Sequence, residues 1–311
     1  MSTAAAIPLF LISAVVMFAA SGYFADKLDH VGPQLGLPEA VVGLLTAVAA
    51  DTPEIASAIA ALVEGKKQTS LGVVIGSNVF NLAAMIGLSA VLAGAVAVAR
   101  RTLMIEGTVS LLTLLVAALL IGGLLPPWLA FLLFLGVLVP YLAVVLRRDH
   151  PAGSHHRRAR DDDRLWKPLA LIVPAVALIV LGAIGMVRAA LALAGHWGIS
   201  ETLTGVLILA VITSLPNAFT AVRLGLAGRG DALVTETLAS NTINLTGGVL
   251  IPALFVGLAA SSGSIHFDLA WLGGMTAFVL VALAAPRGLG RVGGILVIAL
   301  YAVFVAVHLA L

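Results

Sequence analysis

The chain has 311 residues, 61% hydrophobic and only 10% charged, with a mean hydropathy of +1.13. So much apolar surface excludes a soluble domain and describes a polytopic helical membrane protein, since several windows exceed the roughly 20 apolar residues that cross a bilayer. The net charge of +2 comes from basic residues in short loops, which argues against a nucleic-acid partner, and the absence of cysteine excludes a disulfide framework and a thiolate metal site.

From the N-terminus, Met1-Ser2-Thr3 leads into an apolar run without a basic n-region, which predicts a first span and not a cleaved signal. Apolar runs and the breakers between them predict ten spans: 4–24, 38–63, 69–96, 103–122, 127–146, 168–195, 202–226, 232–258, 267–285 and 290–310. The one long polar segment lies between the fifth and the sixth. It predicts two five-span units, 1–146 and 168–311, joined by a basic linker over 147–167. Placing both chain ends outside and the linker in the cytoplasm puts 14 of the 17 Lys and Arg on the inner side, leaving Lys66, Lys67 and Arg188 outside. The positive-inside rule favours that orientation, in a plasma membrane.

Within the second span, Asp51-Thr52-Pro53-Glu54 places two carboxylates beside a proline. An ionisable group at mid-membrane costs about 2.5–3.5 kcal/mol on insertion scales, so it marks a functional site by default. Pro53 lacks an N–H and frees backbone carbonyls nearby. Asp51 and Glu54, three residues apart, share a helix face unless the chain unwinds there. Together these features predict a cation site, against the blander reading of a kinked helix whose carboxylates pair with a base or reach the headgroups.

Shifting the sequence by 163 positions superposes 44–82 on 207–245 without a gap. The distinctive identities are Pro53/Pro216, Gly65/Gly228, Ser77/Ser240, Asn78/Asn241 and Asn81/Asn244. Five spans per half is odd, so the second half enters the membrane from the opposite face. Inverted repeats place a site at mid-membrane where their broken helices meet. The predicted fold class is therefore all-α, ten transmembrane helices in two inverted five-helix repeats.

In the second half the counterpart segment reads Thr213-Ser214-Leu215-Pro216-Asn217, with an amide where the first half has Glu54. Thr213, Ser214 and Asn217 offer neutral oxygens that replace part of a cation's hydration shell. Alternatively, a Ser or Thr in a membrane helix bonds the carbonyl four residues back. Asn within an apolar span requires a partner, so of the pairs Asn78/Asn241 and Asn81/Asn244 one is expected to line the site and the other to cross-link helices. Thr237, one turn before Asn241, shares its face. Glu236, five residues before it, points elsewhere and is assigned to solvent or a gate.

These residues resemble the sodium/calcium exchanger group of the calcium:cation antiporter superfamily, whose two inverted halves each carry G-T-S-L-P-E on one helix and G-S-N-x-F-N on the next. Gly76-Ser77-Asn78-Val79-Phe80-Asn81 matches the second motif in full, and Pro53-Glu54 and Thr213-Ser214-Leu215-Pro216 match most of the first. The resemblance implies an acidic ligand at Glu54, a carbonyl ligand at Ala47 and an amide at Asn78. It implies Ala210, Thr213, Asn217, Thr237 and Asn241 in the second half. The chain departs from the family where Asn217 replaces a glutamate, Ala50 a threonine and Asp51 a serine. Losing one of two facing glutamates removes a full charge, and Asp51 restores it from the other helix at a different point in space.

The expected function is a secondary active antiporter exchanging a metal cation, Ca2+ or Na+, for Na+ or H+ by alternating access, with spans 4–24 and 168–195 sliding past the site. Its partners are inorganic cations and the bilayer, and it needs no cofactor beyond the transported ions. The alternative is a degenerate member that binds a cation without transporting it, motivated by the ligands lost at Ala50 and Asn217. No H-E-x-x-H and no nucleophile elbow is present, which speaks against an intramembrane enzyme.

Overall fold

The computed structural model describes residues 1–34, 45, 47–148, 166–258 and 263–310. The start of the second predicted span and most of the basic linker lie outside the described residues. Ten helical segments follow in order: α1 (Thr3–Gln34), α2 (Thr52–Val63), α3 (Lys67–Ala93), α4 (Arg100–Ile121), α5 (Pro127–Arg148), α6 (Trp166–Trp197), α7 (Glu201–Leu226), α8 (Gly230–Leu245), α9 (Gly263–Leu283) and α10 (Arg291–Ala310). Among the described residues, eight of them are long and apolar enough to cross a membrane. The other two, α2 and α8, belong to the centre, where carboxylates, hydroxyls and amides replace apolar residues, and helical residues 47–50 precede α2.

The two halves repeat in detail. Gly65 and Gly228 close the α2–α3 and α7–α8 turns with φ of 76° and 71°, a left-handed conformation that favours glycine in both. A π-helical stretch interrupts α3 at Leu82–Gly87, and another follows α8 at Thr246–Leu250. Packing obeys the same exchange: α4 lies on α8 as α9 lies on α3, while α1 and α6, which are equivalents, pack along each other. Gly182 and Gly185 of α6 admit Ser13 and Met17 of α1. The protein is an all-α polytopic membrane protein of ten helices in two inverted fives, and α2, α3, α7 and α8 form its centre.

Sequence periodicity did not anticipate one feature. Ala95–Val96 and Leu289–Gly290 form a two-residue antiparallel pair joining the end of α3 to the start of α10. The pair lies between helix ends, where backbone groups have no intrahelical partner.

Candidate cation site

Pro53 does not unwind its helix. Asp51 N donates to Ala47 O (3.1 Å) and Ile55 N to Asp51 O (3.2 Å), so the chain stays helical through the proline, with Asp51 at φ −85°, ψ 0°. The carbonyl deprived of a partner by the missing proline N–H is that of Ala49, four residues back. Ser21 Oγ of α1 donates to it at 3.0 Å. The freed carbonyl is thus taken up by a neighbouring helix and not left toward the carboxylates. Asp51 and Glu54 therefore remain on one face, both fully or almost fully buried.

Asn217 of α7 meets them there. Its Nδ2 donates to Asp51 Oδ1 at 2.7 Å and to Glu54 Oε1 at 3.3 Å. Ser240 Oγ of α8 donates to the same Asp51 oxygen at 2.6 Å. Each carboxylate keeps a second oxygen, Asp51 Oδ2 and Glu54 Oε2, that is buried and accepts no hydrogen bond. Such an acceptor costs about 1–3 kcal/mol unless something positive meets it. Ser214 is buried too, and its hydroxyl has no hydrogen-bond partner among the described residues.

A second layer of amides ties α3 to α8. Asn78 Nδ2 donates to Asn241 O (3.0 Å) and Asn241 Nδ2 donates to Asn78 O (3.2 Å), a reciprocal pair between equivalent residues. Glu54 and Asn217 are also equivalents. Residues that touch their own counterpart lie beside the pseudo-two-fold axis, so both contacts mark it and the carboxylates stand next to it. Asn81 Nδ2 reaches Ser240 Oγ and Asn241 Oδ1, each at 3.2 Å. Its counterpart Asn244 is buried with neither amide atom bonded.

Not every expected residue joins this network. Thr213 Oγ1 donates to Leu209 O (2.9 Å) and Ala210 O (3.2 Å), and Thr237 Oγ1 to Leu233 O (2.9 Å), the local bond that hydroxyls make within membrane helices. Ala210 O also receives Ser77 Oγ at 3.5 Å, while Ala47 O serves Asp51 N. Asn78 and Asn241 cross-link helices. The polar residue of α8 on Asp51 is Ser240, whose repeat equivalence to Ser77 was visible in the sequence. Glu236 is one turn before Ser240 and shares the face that brings Ser240 to Asp51.

Beyond one end of these helices a cavity of about 580 Å³ is lined by Glu64, Lys66, Arg188, Ser200, Glu201 and Thr204. Two ion pairs cross it: Arg188 Nε to Glu64 Oε1 at 2.7 Å, and Lys66 Nζ to Glu201 Oε1 at 2.6 Å. The first joins α6 to the α2–α3 turn, the second joins that turn to α7.

Mirrored halves with acidic and amide groups buried where they meet define an inverted-repeat membrane carrier. A family model described as sodium/calcium exchanger protein matches residues 5–147 and 167–310, and the chain belongs to that family. It is 25% identical over 274 residues to a putative antiporter, CaxA, of Alkalimonas amylolytica, covering 82% of this chain and 83% of that protein. It is 34% identical over 85 residues to the sodium/calcium exchanger MaX1 of Methanosarcina acetivorans, covering 27% of this chain and 24% of that one. Among solved structures, the sodium-calcium exchanger NCX_Mj soaked with 10 mM Na+ and 10 mM Sr2+ superposes with a TM-score of 0.66 at 22% identity. That match covers 98% of this chain and 99% of the other, and establishes the shared fold.

Proposed function

We propose that the cluster of Asp51, Glu54 and Asn217 is the exchange site of a secondary cation antiporter, which carries a metal cation, Ca2+ or Na+, against Na+ or H+. The observation that carries this reading is the pair of buried, unbonded carboxylate oxygens beside the pseudo-two-fold axis. Relatives named as exchangers and antiporters support it. Ions that share two carboxylates cannot occupy them together, so competition alone couples the fluxes. Ser240, which already bonds Asp51, would complete the shell together with Ser214 and the carbonyls of Ala47 and Ala210. Thr213, Thr237, Asn78 and Asn241 hold the helices that carry it.

The halves 1–146 and 168–311 act as the two repeats, with 147–167 as a cytoplasmic connection and both chain ends outside a plasma membrane. α1 and α6 form the moving pair that exposes the site to each side in turn. The test is ion flux in proteoliposomes: gradient-driven uptake of radiolabelled calcium and sodium by the wild type, and its loss in Glu54→Gln. Equal fluxes from both proteins remove Glu54 from the mechanism. Cation-dependent thermal stabilisation without any flux returns the chain to the non-transporting alternative.

A further inference from the structure

Asn217 was expected to offer a cation its oxygen, but it presents the other end of the amide. Nδ2 lies against Asp51 Oδ1 and Glu54 Oε1, and an amide nitrogen only donates. Turned over, the side chain would set Oδ1 against two oxygens that only accept when ionised. The carboxylates thus dictate this orientation. The nitrogen bridges them from the opposite repeat, beside the axis, in the place a cation held by both halves would take.

We propose that the Asn217 amide is an internal stand-in for the cargo. Between transport events its N–H2 group bridges Asp51 and Glu54 and keeps two neighbouring acceptors from facing each other bare. An arriving cation takes the bridge, and the amide turns about its Cβ–Cγ bond to give the ion Oδ1. One residue then alternates between competitor and ligand, whereas an ionised glutamate at this position, having no donor, could serve only as a ligand. The inference rests on the proposed exchange site.

Isotope-edited infrared difference spectra of the full-length protein in lipid test it. The chain has five asparagines, so a carbon-13 label in the asparagine side chains gives few bands, and Asn217→Leu or the similarly sized Asn217→Asp assigns the one in question. Na+ and Ca2+ are each titrated against a choline buffer, with cation binding followed in parallel by calorimetry. The expected result is a downward shift of the Asn217 carbonyl band that saturates with binding, and about tenfold weaker binding in Asn217→Leu, equivalent to losing roughly one ligand hydrogen bond's worth of energy. Cation binding without change in that band overturns the two-position amide and leaves the exchange site standing. Absence of cation binding by the wild type overturns both.

Discussion

Asp51→Asn separates the charge of the site from its shape. In the wild type Asp51 Oδ1 accepts from Asn217 at 2.7 Å and Ser240 at 2.6 Å. An asparagine keeps an oxygen there for both donors. Bonds to a neutral oxygen are about half as strong as charge-assisted ones, a loss of roughly 1–1.5 kcal/mol each. Against that, the variant no longer buries an anion whose insertion costs about 2.5–3.5 kcal/mol. The two effects nearly cancel, so folding stability should hardly move.

Cation binding has no such compensation. A carboxylate oxygen about 2.4 Å from an ion, at an effective dielectric constant of about 20, contributes roughly 7 kcal/mol per unit of positive charge. If desolvation removes three quarters of this, about 1.7 kcal/mol remains for Na+ and about 3.5 kcal/mol for Ca2+. Asp51→Asn should then weaken Na+ by about 20-fold and Ca2+ by about 400-fold. Calorimetry on purified protein reads both affinities, and thermal unfolding confirms the fold. A well-folded variant that loses the two ions equally, or neither, would refute the assignment of Asp51 to the ion.

Ser240→Ala removes a donor to Asp51 and an acceptor for Asn81, and should cost roughly 1–3 kcal/mol, read as a lower thermal midpoint together with weaker cation binding. Thr237→Val deletes a hydroxyl that bonds only its own helix, and transport within about threefold of wild type is expected; a hundredfold loss would show that Thr237 reaches the ion in another state. Gly76→Val should prevent correct packing, because even a β-carbon there would lie 2.5 Å from Val206 O where α3 crosses α7, and size-exclusion profiles of the detergent-extracted protein would show it. Glu64→Ala with Glu201→Ala breaks both ion pairs over the cavity; as part-exposed pairs worth about 0.2–1 kcal/mol each, they should change the accessibility of a cysteine placed at Ser200 by about 2- to 30-fold.

Much of this was legible because membrane sequences are written in coarse contrasts. Apolar runs of span length fell close to the described helices, the start of the second span lying outside the described residues, and rare polar matches at a shift of 163 gave the axis on which Asn78 meets Asn241 and Glu54 meets Asn217. Finer matters escaped for definable reasons. Proline announces a missing N–H but not who serves the orphaned carbonyl, and Ser21 sits 28 residues from Ala49. Neighbours on a helix differ by 100°, so Ser240 and Asn241 of α8 both reach the interior, one to Asp51 and the other to Asn78, which periodicity alone does not separate. An asparagine in a sequence is donor and acceptor alike; only the carboxylates around Asn217 decide which end faces them.

Inverted repeats make the backbone nearly symmetric, and the side chains withdraw that symmetry where charge is concerned. Both carboxylates of the proposed site come from the start of α2, Asp51 as its cap and Glu54 within it, while α7 supplies the amide of Asn217 and the hydroxyl of Ser214. Likewise the ion pairs Glu64–Arg188 and Lys66–Glu201 cover one face only, since the residues 163 positions away are Ala227, Ala25, Arg229 and Pro38, which contain no carboxylate. In the proposed cycle, two carboxylates on one helix would keep their spacing when α1 and α6 move, so only the bound ion or proton would change the charge of that wall. On the same proposal the opposite wall, a neutral amide and hydroxyls, would adjust without desolvating a charge. A carrier built this way puts the cost of burying its anions into the fold once, and leaves each transport step to be settled by hydrogen bonds of a few kcal/mol or less.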